Sequence, residues 1–120
     1  MGIVNNGLNV MAANMAGSNI LISKMAFGED GTAYNSGNTA LGSELKREDI
    51  FFQDLSTPGA VIYNTNFTPT EVSGLVAKEF GTFTSGGVMI SRDVMTGSFV
   101  FTGLQEFSIQ QTIQFNISGA

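Results

Sequence analysis

The clearest hydrophobic pattern in the chain is an alternation of apolar and polar residues near its C-terminal end. In the stretch FSIQQTIQFNI, residues 107–117, every second position from Phe107 onward is apolar except Gln111. Because successive side chains of a strand point to opposite faces, this period of two predicts a half-buried β-strand. The predicted strand is longer than a small sheet usually needs, so its polar face is a candidate interface with another subunit. The candidate contact residues on that face are Gln110, Gln114 and Asn116.

Shorter runs of β-branched and aromatic residues, bounded by Gly, Pro, Asn or Ser, predict further strands. The run at residues 19–28 is apolar without a clear alternation, which is typical of a strand buried on both faces. The run at residues 60–67 alternates, and Val61, Tyr63, Thr65 and Phe67 share one face. The remaining predicted strands lie at residues 50–55, 75–83, 88–94 and 98–103.

Helical spacing is clearest near the N-terminal end. The apolar residues that recur at this spacing are Leu8, Met11, Ala12 and Met15. Asn5 is a suitable cap for the start of this helix, and Gly17 is suited to end it. The pattern therefore predicts a helix from Asn5 to about Gly17.

Two further segments predict helical structure. TALGSELKRE, residues 39–48, predicts a helix through about Lys46, with Asn38 or Thr39 as its cap and two leucines on its inner side. Thr68, Pro69 and Glu71 form a capping box, which predicts about one helical turn that ends at Gly74.

The order of these elements predicts the fold class. Six or seven strands with one long and one short helix indicate a mainly β (α+β) protein. We expect an antiparallel β-sandwich with the N-terminal helix and a second short helix packed on one side. At 120 residues the chain fits a single domain, residues 1–120, and it contains no internal repeat and no linker.

The charge of the chain limits the classes of partner that it is expected to bind. It carries five Lys and Arg against ten Asp and Glu, a net charge of −5. Nucleic acid binding requires clustered cations, and an anionic membrane surface favours them too, so neither partner is expected. No apolar run is long enough to span a membrane, and the opening MGIVNNGLNVM lacks the basic start and apolar stretch of a secretory signal. We expect a protein made in the cytosol or assembled into something larger.

The chain has no Cys and no His, which removes thiolate nucleophiles, imidazole bases and most zinc sites. The adjacent acids Glu29 with Asp30 and Glu48 with Asp49 are the remaining catalytic candidates, but neighbouring residues on a strand point apart. The loop at residues 28–38 lacks the alternating acids of a calcium loop, and no Gly-rich stretch forms a phosphate cradle. We therefore expect no enzyme activity, no metal and no cofactor.

Glu79 is the one charged residue whose position raises a question. Within the predicted strand it shares parity with Leu75, Ala77 and Phe83, which places it on the apolar side. A buried carboxylate without a partner is costly. We therefore hypothesise that Glu79 receives hydrogen bonds or a cation from the segment at residues 39–48, with Arg47 as its partner. The alternative is that the strand bulges at Gly81 and exposes Glu79 to water.

Three stretches of the chain resemble the N-terminal attachment domain of tail-collar type tail fibre proteins of bacteriophages. The first stretch joins IVNNGL (residues 3–8) and GSNILISKMAFG (residues 17–28), which are similar to the family's Asn-x-Gly-Leu helix and Ile-x-x-x-Ala-x-Gly strand. TALGSELKR (residues 39–47) matches the family's Thr-Ala-Leu, Glu and Arg at the same spacing.

The third stretch, PTEVSGLVAKEFGTF at residues 69–83, carries the most specific likeness. The family pattern there is Pro-x-acid-Val-x-Gly followed by basic-Glu-x-Gly-x-Phe. The chain supplies all of these in register, as Pro69, Glu71, Val72, Gly74, Lys78, Glu79, Gly81 and Phe83.

The resemblance implies a structural virion protein of a tailed bacteriophage, assembled in the host cytoplasm. It would be a tail, collar or baseplate component or adaptor that docks or anchors tail fibres. Its partners would be other virion proteins, among them possible separate fibres, and virion symmetry predicts a homo-oligomer. Two other functions stay open. One is a capsid decoration (cement) protein, and the other is a host-glycan-binding module that would use Tyr34, Tyr63 or exposed Phe residues as sugar platforms.

Overall fold

The computed structural model describes residues 2–104 and 107–114 of the chain. Nine elements follow one another in chain order. They are α1 (Asn5–Met15), β1 (Ile22–Gly28), β2 (Glu44–Asp49), β3 (Phe52–Asp54), β4 (Ala60–Phe67), α2 (Pro69–Val72), β5 (Val76–Thr84), β6 (Met89–Val100) and β7 (Phe107–Gln114). The end of the predicted last strand, residues 115–117, lies outside the described residues.

The strands form two antiparallel sheets. The four-stranded sheet has the order β2-β1-β5-β6, and the three-stranded sheet has the order β3-β4-β7. The predicted class, a mainly β protein with an N-terminal helix and a second short helix, is confirmed.

The two sheets pack on each other through aromatic and branched side chains. Phe27 of β1 contacts Phe67 of β4 edge to face, with ring centroids 5.1 Å apart, and Phe101 lies 5.0 Å from Phe27 on another side. Ile109 and Ile113 of β7 complete this core from the three-stranded sheet. Aromatic rings remove large apolar areas from water, so this contact holds the sandwich together.

The alternation in the three-stranded sheet is as predicted. Tyr63, Thr65 and Phe67 of β4 are buried, and Gln111 of β7 is buried between Ile109 and Ile113. The predicted cap of α2 also forms, since the Thr68 hydroxyl accepts from the Glu71 amide at 3.4 Å and donates to the Glu71 carboxylate at 3.0 Å. Gly74 then takes a positive φ of 78° and ends this turn.

Helix α1 forms where it was predicted but buries a different face. Leu8 and Met15 are exposed, whereas Gly7 and Val10 are buried. The helix lies on β6 so closely that a Cβ at Gly7 would overlap the Ile90 carbonyl. Its cap is Val4, which makes no side-chain cap bond, so the expected capping role of Asn5 is wrong. The glycine allows this close approach, and hydrophobic spacing alone does not reveal it.

The predicted helix at residues 39–46 is wrong. Residues 39–43 form a loop, and the strand β2 begins at Glu44 and pairs with β1. Leu41 is buried as expected, but from the loop. Pairing with a neighbouring strand satisfies the backbone groups of β2, and this tertiary contact outweighs the local helical preference.

Strand β6 replaces two predicted strands. Val94 pairs with Glu79 of β5 and Phe99 pairs with Ala77, so four residues of β6, 95–98, lie opposite the single residue Lys78. The irregularity is a bulge within one strand, whereas the sequence pattern indicated a break between two strands.

Candidate functional site

The carboxylate of Glu79 lies at the centre of a buried polar network. The side chain of Glu79 is 0% exposed, so the alternative in which a bulge at Gly81 exposes it to water is wrong. Three backbone amides donate to this carboxylate: Asp30 at 3.1 Å, Gly42 at 2.9 Å and Ser43 at 2.9 Å. Hydrogen bonds from backbone amides to an ionised carboxylate are stronger than those between neutral groups.

Arg92 of β6 supplies the cation for Glu79. Its Nε donates to Glu79 Oε1 at 3.0 Å, and both side chains are buried. The rest of the guanidinium faces the loop between β1 and β2, where Nη2 donates to the Thr32 carbonyl at 2.9 Å. Longer hydrogen bonds reach Asp30, Ala33 and Asn38. The planar, multiply donating guanidinium suits a site that offers several carbonyl oxygens.

The hypothesis that Arg47 is the partner of Glu79 is therefore wrong. Arg47 donates twice to Glu44, at 2.7 and 3.0 Å, and its guanidinium carbon lies 3.9 Å from the centroid of the Phe83 ring. Spacing within one strand does not indicate Arg92, because its closeness to Glu79 depends on the register of β5 with β6. In that register Arg92 lies opposite Gly81, two residues from Glu79 on the same face of the sheet.

The network fixes the long loop between β1 and β2. Gly28 at the end of β1 pairs directly with Glu79, and the Glu79 carboxylate binds the amides at both ends of the loop. The Thr32 hydroxyl and amide both donate to Asp30, and these hydrogen bonds hold the pKa of Asp30 below its usual range. The loop is thus ordered by polar contacts at many points.

Within each carboxylate pair considered for catalysis, the two side chains lie in different surroundings. Glu29 is exposed and Asp30 belongs to the loop network. Glu48 has a pKa raised by desolvation and by the neighbouring Glu71, and Asp49 forms an ion pair with Lys24. In the part of the chain that the structure describes, no three acidic residues are grouped so that they could hold a metal ion.

The two tyrosines considered for sugar stacking also differ in position. Tyr63 is buried, and burial raises the pKa of its hydroxyl. Tyr34 is partly exposed, and its hydroxyl donates to the Ile3 carbonyl. Burial thus removes Tyr63 as a platform for an external sugar.

A cleft runs along strand β7 between the two sheets. Its volume is about 480 Å³, and it is lined by residues 107–112 together with Phe80 and Asp93 of the four-stranded sheet. Asp93 bridges the two sheets here, because it accepts from the Gln111 amide group and from the Gly2 backbone at 2.8 Å.

The candidate interface residues of the last strand are only partly described. Gln110 is exposed, together with Ser108 and Thr112 on the same face. The side chain of Gln114 and all of Asn116 lie outside the described residues. Gln110 is therefore the candidate that the structure places on an accessible surface beside the cleft.

Comparisons with protein-family models, with curated proteins and with solved structures find no significant match to this chain. The likeness to the tail-collar attachment domain thus stays a prediction from the residues themselves. None of the described helices is long and apolar enough to cross a membrane.

Proposed function

We propose that the protein is a structural component of a tailed-bacteriophage virion. It would act in the tail, collar or baseplate, where it docks or anchors tail fibres through contacts with other virion proteins. The proposal assigns no reaction to the chain. Its mechanism is the burial of protein surface between subunits.

One observation carries this proposal. The three stretches that resemble the attachment domain lie far apart in sequence, but all three meet around Glu79. Gly28 of the first stretch pairs with Glu79, Gly42 and Ser43 of the second donate to it, and the third stretch contains Glu79 itself. Residues from all three similar stretches therefore take part in one framework, as expected of segments with a structural role.

The exposed apolar residues support a role in protein contact. Phe51, Leu55 and Leu104 are 63%, 70% and 85% exposed, and the Phe51 and Phe52 rings lie side by side at the edge of the three-stranded sheet. Such residues gain free energy when a partner removes them from water. A surface with few charges and several exposed rings suits packing against protein.

Localisation on intact particles tests this function. We expect an antibody against the purified protein to label one end of the virion, and a cryo-EM reconstruction to place its density in the tail, collar or baseplate. Labelling spread over the whole head at high copy number would instead assign the protein to capsid decoration. Absence of the protein from purified particles would refute both structural roles.

A further inference from the structure

We propose that β7 pairs antiparallel with β7 of a second copy of this chain. The Gln111 residues of the two copies would face each other across the two-fold axis. The two three-stranded sheets would then form one six-stranded sheet, in the order β3-β4-β7-β7-β4-β3. This pairing deepens the proposed function. It rests on that function only because a virion component is expected to assemble with copies of itself.

Three of the four sheet edges carry features that hinder the addition of another strand. Five of the six residues of β2 are charged, and β3 has only three residues. The first half of β6 is covered by the N-terminal segment, where Val4 donates to the Ile90 carbonyl and Arg92 donates to the Gly2 carbonyl. Its second half is bulged at residues 95–98. Charge, short length, cover and bulges are the usual ways in which proteins protect sheet edges.

Strand β7 has none of these features. It pairs with β4 over eight consecutive residues without a register shift, and it contains no charged residue, no Pro and no Gly. Among the described residues, no strand pairs with its other side. A long, regular and uncharged edge offers unpaired backbone groups to an added strand.

The sequence of the edge identifies a second copy as the partner. Around Gln111 the residues are symmetric in character, because Ile109 and Ile113 flank it at equal distances and polar residues fill the positions between. In antiparallel pairing about Gln111, Ile109 faces Ile113 of the second copy and Gln110 faces its Thr112. The two strands thus contribute the same residues to the contact, as an isologous interface requires.

Charge also favours this place for self-association. Each copy carries a net charge of −5, so two copies repel each other where their acidic residues approach. The β7 edge carries no charge, and the cleft of about 480 Å³ beside it lies between the two sheets, where inward side chains of an added strand would lie. The edge and the cleft therefore form one surface for a strand.

Two double variants test the pairing and its register. In Gln110→Lys with Thr112→Lys, each lysine faces a lysine of the second copy, and the dissociation constant of the dimer should rise by roughly tenfold or more. In Gln110→Lys with Thr112→Glu, each lysine faces a glutamate, and the constant should stay within about threefold of the wild-type value. Sedimentation equilibrium over a range of concentrations measures both.

The matched control is Gln53→Lys, the same substitution on the exposed opposite edge of the same sheet, which should leave the dimer unchanged. Far-UV circular dichroism and thermal melting check that each variant is folded. A wild-type protein that stays monomeric, a larger assembly, or equal effects of the two double variants would each overturn the pairing. None of these outcomes changes where the protein lies in the virion, which the particle images decide separately.

Discussion

The two sheets of this protein differ most in where they carry charge. The strands of the three-stranded sheet contain one charged residue, Asp54, whereas most of the charged residues of the chain lie in the four-stranded sheet. The charged residues of those four strands are Lys24, Glu44, Lys46, Arg47, Glu48, Asp49, Lys78, Glu79, Arg92 and Asp93. One sheet therefore uses ionic contacts to fix its own structure, and the strands of the other are almost free of charge.

Burial determines what the charges in the four-stranded sheet do. At its centre, Glu79 and Arg92 are removed from water and hold a loop through backbone amides and carbonyls. At its β2 edge, Glu44 and Arg47 are solvated, and such a pair contributes little to stability. The buried pair is costly to form but more costly to break, so it specifies the loop conformation.

The largest expected effect follows from removing the buried charge. Glu79→Gln leaves Arg92 buried without its anion. It also places the side-chain amide group of glutamine among backbone N–H groups that donate to the carboxylate in the wild type. We expect a loss of about 3–5 kcal/mol in the free energy of unfolding. Urea denaturation followed by circular dichroism measures it.

The matched control is Glu44→Gln, which makes the same change in the solvated pair with Arg47. Its expected cost is about 0.2–1 kcal/mol. Equal losses for the two variants would show that the buried network has no special role in the four-stranded sheet.

The next effect concerns helix α1, which packs on β6 of the same sheet. Gly7→Ala places a methyl group against the Ile90 backbone, so α1 must move away from β6. We expect the overpacking to cost about 1–3 kcal/mol. Alanine gains roughly 1 kcal/mol over glycine in a helix, so the net loss should be up to about 2 kcal/mol. Thermal melting reports the loss.

Gly97→Ala in β6 is the control for this change. A Cβ there meets no atom within 4 Å, and Gly97 is not among the glycines with positive φ. Its melting temperature should stay close to that of the wild type. If Gly7→Ala were equally harmless, the close contact of helix and strand would not be needed for stability.

The three-stranded sheet was more predictable from sequence than the four-stranded sheet, and the reason is physical. One face of β4 and of β7 packs on the core, so the period of two is visible in residues such as Tyr63, Ile109 and Gln111. In β2 the alternation is replaced by charges, and a local pattern around Leu41 and Leu45 favoured a helix instead.

The candidate site was predictable only in part. The parity of Glu79 in its strand indicated that it would be buried with a partner, and its burial is observed. The identity of the partner depends on the register between β5 and β6, and on a loop that closes over both. Such long-range geometry is not encoded in the spacing of residues along one strand.

Substitutions on β7 should show the opposite behaviour to those at Glu79. With Gln110→Lys and Thr112→Lys combined, both new side chains extend into water in the monomer. We expect the unfolding free energy of the monomer to change by no more than about 0.5 kcal/mol. Denaturation at concentrations where the monomer dominates measures this, and a loss comparable to that of Glu79→Gln would show that β7 is needed for folding.

The smallest effect tests the charges at the β2 edge. Desolvation and the nearby Glu71 carboxylate raise the pKa of Glu48. A carboxyl group whose pKa is raised in the folded state favours folding when protonated, and this contribution is lost as the pH rises through the folded pKa. Glu48→Gln should therefore stabilise the protein at pH 7, by no more than about 0.5 kcal/mol after solvent screening.

The pH dependence distinguishes this effect from a general change in packing. The gain from Glu48→Gln should disappear as the pH falls below about 4.3, where an unperturbed glutamate is protonated. Glu44→Gln should have the opposite sign at pH 7, because it removes a favourable contact with Arg47. Unfolding free energies of both variants from pH 3 to 7 measure the difference. If Glu48→Gln lowered stability at pH 7, the charge of Glu48 would stabilise the folded protein. Protection of the β2 edge against added strands would then not be needed to explain why this residue is charged.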